Sequence, residues 1–394
     1  MPRVQRLFVL FSFGLMFAAI GPRRVVAVEQ PKAKSGVLWV YVGTYTKAPE
    51  SGINLFQFDT ASGRLTKPEV VAKAPNPTFL ALHARKLWLY AISEVSEFGR
   101  EKSGFVSAYR IQPGTGRLDL LNQQSSGGRG PCHVSVDRTG RLALVANYGG
   151  GSVASLPIRP DGSLQPAATV DQHHGSSVRP SRQSGPFAHC IDADPGNRFA
   201  LAADLGIDKL LIYRLNASEG TFTPHQPAFV ETVRGAGPRH LAFHPNGRFV
   251  YVINELDCTI SVFRYDSTRG ILESVQNVST LPGGFAGENS AAEVQIHPSG
   301  CYLYGSNRGH DSIAIFAVDS ETGKLHILGH RSTLGKTPRH FALDPSGRYL
   351  LAANQDSGNV VVFRVDPKTG LLEPTGSSVR IPMPVCVVMR PPVE

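Results

Sequence analysis

Histidine, arginine and glutamate recur at fixed offsets along this 394-residue chain, and that pairing of type with spacing is where its chemistry begins. Turns of the D-P-x-G-R kind start at His83, Asp137, Asp194, His244, His297 and Asp344. Five residues before each start stand Thr78, Cys132, His189, Arg239, Ala292 and Arg339. Eleven after stand Glu94, Tyr148, Leu205, Glu255, Arg308 and Gln355. A third set, one residue beyond the first, reads Phe79, His133, Cys190, His240, Glu293 and His340. A His, a Glu and several Arg in one place can activate water, steady a developing oxyanion and grip an anion. Each also has a structural reading. Arg239 and Glu255 can be a plain ion pair, Arg308 and Arg339 loop anchors, and His189 a satisfied rim histidine. Recurrence of His133, His240 and His340 at one position favours bonds between neighbouring units, and Glu293 in that set is equally open.

What could bring these residues together is a repeat. The turn starts are separated by 54, 57, 50, 53 and 47 residues, the period of a propeller or solenoid. PRHLAFHPNGRFVYVINELDCTISVFRYD from Pro238 and PRHFALDPSGRYLLAANQDSGNVVVFRVD from Pro338 show the unit clearly. Apolar residues alternate with period two, tight turns punctuate them, and no segment sustains a helical period. Each unit therefore makes four antiparallel strands, a to d, which is a propeller blade. LWVYVGTYT, INLFQFD and RLTKPEVVAK near the N-terminus read as strands b, c and d, and PVCVVMR at 384–390 reads as an orphan strand a. Joined, they complete a seventh blade and close the ring without a free edge. The expected fold is all-β: one seven-bladed propeller over residues 36–391. Strand a lines the channel, and the first two sets of residues face one mouth.

Several other features bound the function. Arg3 and Arg6 precede the apolar run of residues 7–20, too short to span a membrane and suited to a secretory signal over residues 1–27. Val25 and Ala27 are its candidate cleavage pair, and the mature domain is expected to be exported without membrane insertion. The net charge of +9 includes four arginines of that segment, which carries no acid, so the remainder is +5. No basic block or basic helix accompanies it, which argues against a nucleic-acid partner. The five cysteines form no C-x-x-C pair and read as free and buried. A long loop, residues 171–189, gathers His173, His174, Arg182, Gln183 and His189 at the same mouth as a rim or lid. The histidines there make a weak metal motif, and no metal or other cofactor is expected. The Asx residues Asn147, Asp204, Asn254, Asn307 and Asn354, all at one strand-b end, read as turn formers.

YVGTYT at 41–46, PCH…NYGGGSV at 131–153, HHGS…RQ…AH…DLG-D at 173–208, GPRH…NE at 237–255 and NRG-DSI at 307–313 together resemble the lactonase seven-bladed propeller family. That family includes bacterial 6-phosphogluconolactonase and fungal 3-carboxymuconate-lactonising enzyme. The resemblance implies a metal-independent site at one channel mouth, with His189, Arg239 and Glu255 as catalytic residues and Arg308 as a substrate-binding arginine. Phe187 departs from it, standing where the family's usual P-H-A-H has its first His. Arg339, Arg182, His133 and Glu293 are further expected substrate contacts. The implied reaction is hydrolysis of a sugar lactone such as 6-phosphogluconolactone, with Glu255 or His189 as base and Arg239 facing the oxyanion. The alternatives are a lactonase or cycloisomerase acting on another small anionic lactone, and a non-catalytic binding module.

Overall fold

The computed structural model describes residues 1–2, 36–46 and 52–393. The expected signal segment and its cleavage pair therefore lie largely outside the described residues. Residues 33–394 form a unit separate from residues 1–32. Its described part contains seven four-stranded antiparallel sheets. Blade 1 pairs the C-terminal strand Pro384–Arg390 with Val37–Thr44, followed outward by Gly52–Asp59 and Glu69–Lys73. The other six blades each run in chain order from the channel outward. Their inner strands are Leu80–Leu82, Pro131–Val136, Ala188–Ala193, Pro238–Phe243, Ser290–Ile296 and Pro338–Leu343. Trp39 opposite Arg390 and Gly43 opposite Cys386 fix the register of the closing pair. The seven-bladed expectation holds, including the composite blade.

Position within a blade explains each strand's composition. Strand b has neighbours on both faces, so Phe249–Asn254, Leu142–Asn147 and Tyr349–Asn354 are buried throughout. Outer strands such as Ile271–Ser279 alternate between buried and exposed because only their inward face meets a neighbour. The core is accordingly divided among the blade interfaces, as in Phe249, Tyr251 and Ile253 packing on Leu303, Ala314 and Phe316. On the face away from the mouth, the turn-start residues lace adjacent blades. His83, His244 and His297 place Nε2 3.2, 3.1 and 3.0 Å from the carbonyls of Gly140, Gly300 and Gly347 in the next blade.

On the mouth face the recurring Asx residues do more than make turns. The Nδ2 atoms of Asn147, Asn307 and Asn354 donate to the carbonyls of Ser126, Thr280 and Thr333, just past the outer strand of the preceding blade. At Asp204 the donor is a side chain, His173 Nδ1, at 2.6 Å. Asn254 bonds across its own hairpin to Thr259 and Ser261, and Asn147 adds a similar bond to Ser152, as the turn reading expects. Four cysteines are free and buried as expected, whereas Cys301 is exposed at a turn.

Candidate functional site

Strict alternation would send two consecutive strand residues to opposite faces, yet Arg239 and His240 both face the channel. A β-bulge resolves this. Pro238 pairs with Asn254 and His240 with Ile253, so Arg239 is the extra residue. The same shift singles out Cys132, His189 and Arg339 in their blades. Bulges re-aim side chains, and here they turn one residue per inner strand toward the mouth. Before Arg239 the chain turns at Gly237, whose φ of +68° suits glycine, and a Cβ there would lie 2.6 Å from Leu256. The Gly237 carbonyl accepts from the Glu255 amide at 2.7 Å, which brings the two residues alongside each other.

Glu255 is the hub. Its Oε2 accepts from Arg239 Nε at 3.0 Å and lies 2.8 Å from Arg308 Nη2, while Oε1 accepts from Arg182 Nη2 at 2.5 Å. Burial alone would raise its carboxyl, but the charges of Arg308 and Arg239 outweigh burial and hold it far below the usual carboxylate range. Arg239, buried and crowded by Arg308 and Arg339, is lowered to about 10. His189, buried and then opposed by the Arg239 charge, is pushed well below the usual imidazole value and is neutral at pH 7. Its Nδ1 lies 3.7 Å from Cys132 Sγ, and its ring meets those of Tyr148 and His240 edge-on.

Across the mouth, Glu94 accepts from Thr78 Oγ1 at 2.7 Å and from Tyr45 Oη at 3.0 Å. Arg339 Nη2 donates to that Tyr45 hydroxyl at 3.2 Å, and Arg339 forms no ion pair among the described residues. Glu94, Cys132, Tyr148, Arg182, His189, Glu255, Arg308 and Arg339 line a cavity of about 270 Å³. Arg308 and Arg339 also form one wall of an adjoining cleft of about 440 Å³ that Gln355, Asn289 and Ser290 line.

The loop of residues 171–189 is fastened to the rim. His173 is occupied by Asp204 and by Tyr213 Oη at 2.8 Å. Gln183, fully buried, bonds the Leu205 carbonyl and Asp208, and so places neighbouring Arg182 over Glu255. Phe187, at the departure from the family pattern, stacks on Tyr148 at 4.9 Å. Leu205 of the second set is buried apolar core.

The mouth thus gathers six of the eight expected site residues: His189, Arg239, Glu255, Arg308, Arg339 and Arg182. His133 and Glu293 lie elsewhere, in a second cavity of about 340 Å³ with His240 and His340. Phe79 separates the two, its ring 4.4, 5.6 and 5.5 Å from the rings of His133, His240 and His340. Both were expected as substrate contacts because the third set adjoins the first in sequence; below the Phe79 layer they do not reach the mouth. Tyr45, Thr78, Glu94, Cys132 and Tyr148 were not among the expected site residues. All but Tyr45 share the ring positions of the expected ones, so the repeat frame held their signal.

A family model described as the seven-bladed β-propeller lactonase matches residues 39–389. The chain is 39% identical over 347 residues to a 6-phosphogluconolactonase of Bacillus subtilis, covering 88% of this chain and 97% of that one. It is 34% identical to a 6-phosphogluconolactonase of Formosa agariphila, covering 77% of this chain and 86% of that one. Among solved structures, the periplasmic gluconolactonase of Pseudomonas aeruginosa superposes with a TM-score of 0.84 at 35% identity, over 90% of this chain and 99% of that one. A ring of seven four-stranded blades with this mouth belongs to the seven-bladed β-propeller lactonase family.

Proposed function

We propose that the chain hydrolyses an anionic sugar lactone at this mouth, 6-phosphogluconolactone being the leading substrate. The observation that carries the reading is electrostatic. Three guanidiniums (Arg182, Arg308, Arg339) line one cavity with two carboxylates (Glu94, Glu255) and a neutral His189, and a fourth, Arg239, is buried against Glu255 behind it. The surplus of positive charge in a shielded place favours a small anion. In this reading Arg339, in no ion pair among the described residues, takes the phosphate or carboxylate, with Arg308 beside it. Arg239 steadies the tetrahedral oxyanion. Glu255, committed to three arginines, is a poor base and serves as the clamp that sets them. His189, in no ion pair among the described residues, is the base left to the site: its imidazole is unprotonated at pH 7, and the burial and Arg239 charge that weaken it as an acceptor are offset as the oxyanion develops beside it. Residues 1–27 direct export of the domain.

Export, and likeness to a periplasmic gluconolactonase, favour one second reading, in which the substrate is an unphosphorylated gluconolactone. Initial rates in a pH-stat on phosphorylated and plain gluconolactone and on a carboxymuconolactone separate the two. The phosphorylated compound is expected to give the highest kcat/KM. His189→Asn should lower kcat by ~10²–10⁴-fold. Arg339→Gln should raise KM for the phosphorylated lactone by roughly tenfold and barely alter the plain one. Wild-type turnover of none of the three, or full activity of His189→Asn, would overturn the reading.

A further inference from the structure

Behind Arg239 runs a chain of polar contacts that leads away from the mouth. Arg239 Nη1 donates to the Ala292 carbonyl at 2.7 Å and lies 3.3 Å from His240 Nε2. His240 Nδ1 lies 2.6 Å from Glu293 Oε2. A guanidinium N–H can only donate, so His240 Nε2 must accept and the ring proton must sit on Nδ1, where Glu293 accepts it. His340 supports the same arrangement. Its Nδ1 accepts from the Val387 amide at 3.3 Å, which leaves Nε2–H 3.6 Å from the same Glu293 oxygen. Gln295 Nε2 donates to the other carboxyl oxygen at 3.3 Å.

Propeller packing does not call for this carboxylate. At the equivalent position of other blades stand Phe79, His133, Cys190 and His340. His133, for comparison, has as polar partners among the described residues the Cys190 thiol and the Ile191 amide across the blade boundary. Glu293 is buried, and burial raises its carboxyl to about 8 against the pull of Arg239. Placing an acid there has a desolvation cost, and the carboxyl group sits directly behind the imidazole that touches Arg239.

We propose that His240 and Glu293 are positioning residues for Arg239. Glu293 fixes the His240 tautomer, and His240 presents its Nε2 lone pair to the guanidinium, so that the Nε edge stays on Glu255 and the group is held beside the small gap that Cys132, His189 and Arg339 also line. Arg239 is thereby held at both ends, by Glu255 in the mouth and by His240 beneath it. The inference rests on the reading of Arg239 as the oxyanion's partner.

The test compares three variants for melting temperature, kcat and KM. His240→Leu fills the space without an acceptor, His240→Gln restores a carbonyl oxygen toward Arg239, and Glu293→Gln replaces the carboxyl oxygen that accepts from Nδ1 by an amide that can equally donate, so the tautomer is no longer selected. His240→Leu is expected to lose kcat by about 10- to 100-fold with little change in KM. His240→Gln should recover much of that loss, and Glu293→Gln should fall between them. A His240→Leu enzyme within about twofold of wild type, or a His240→Gln enzyme as impaired as His240→Leu, would overturn the proposal. ¹⁵N chemical shifts of the wild-type imidazole give a readout independent of turnover. A protonated Nδ1 and a pyridine-like Nε2 at His240 are expected, and the reverse pattern overturns the proposal even if no lactone is hydrolysed. Wild-type inactivity with the expected tautomer counts instead against the lactonase reading.

Discussion

Glu255 and His189 enter the sequence reading as equals, since either residue type can take a proton from water. Their surroundings separate them. Three guanidiniums on one carboxyl make Glu255 an anion that gives up its charge reluctantly, while burial keeps His189 uncharged. The same burial, followed by the Arg239 charge, depresses His133 and His340 to about 3 and His240 well below 6.5. These four imidazoles make folding pH-dependent in a definite sense. On acidification below ~6.5 the unfolded chain binds protons that the native channel refuses, so stability falls by up to ~1.4 kcal/mol per pH unit for each histidine. Glu293, raised by burial to about 8, and Asp192, raised by burial too, act in the opposite sense below their folded values, being more protonated in the native state. With Asp257, also raised by burial, they are three, against six histidines once His83 and His330, likewise lowered by burial, are included. Urea midpoints measured from pH 7 to pH 5 should therefore decline steadily, and a midpoint that holds or rises over that range contradicts the assignment of neutral channel histidines. Residue types and spacing made the members of this site legible. Their charge states were not, because they follow from burial and from which guanidinium touches which carboxylate.

At the scale of the strand, the repeat frame located each inner-rim position but not the device that makes it useful. Arg239 and His240 are adjacent, and a regular strand would bury one of them in a blade interface. The bulge that turns both into the channel leaves no mark in the alternation of apolar residues, which resumes in register after it. The expectation that His133 and Glu293 share the mouth failed for a related reason: one residue along the inner strand crosses the Phe79 layer. The strand-b asparagines were visible as a recurring type, yet for Asn147, Asn307 and Asn354 a partner lies 21 to 27 residues earlier, across a blade boundary. They act as staples between the mouth ends of neighbouring blades. Asn147→Ala or Asn354→Ala removes a buried donor and leaves the Ser126 or Thr333 carbonyl short of a partner, at a cost of about 1–3 kcal/mol. The double variant should cost close to the sum, because the two staples sit at different boundaries. Chemical unfolding of the three proteins checks this, and single variants as stable as wild type would show that water replaces the amide without loss.

The whole ring depends on one junction that is not local in sequence. Six blades are each made from one continuous stretch, so their hairpins can form early and independently. Blade 1 takes its inner strand from the opposite end of the chain, and this closure is what fixes the distance across the mouth, where Arg339 of blade 7 meets Tyr45 of blade 1 at 3.2 Å. The junction was legible in the sequence because both end segments fitted the repeat only as parts of one unit. Val385, Cys386 and Val387 are almost fully buried there. Exposing their inward surface, together with that of the neighbours they cover, costs roughly 5 kcal/mol by area, a large share of the ~5–15 kcal/mol that holds a typical domain together. Removing residues 384–394 should therefore lower the melting temperature sharply and broaden the transition, as blade 1 and then its neighbours loosen from an open edge. A synthetic peptide of residues 384–393 added in trans should pair with Val37–Thr44 and restore a single sharp transition, since the register Trp39 to Arg390 needs no covalent link. A truncated protein that melts like the full chain would show that the six continuous blades hold the ring without closure, and the composite blade would then be a consequence of chain termini meeting rather than the element that sets the mouth.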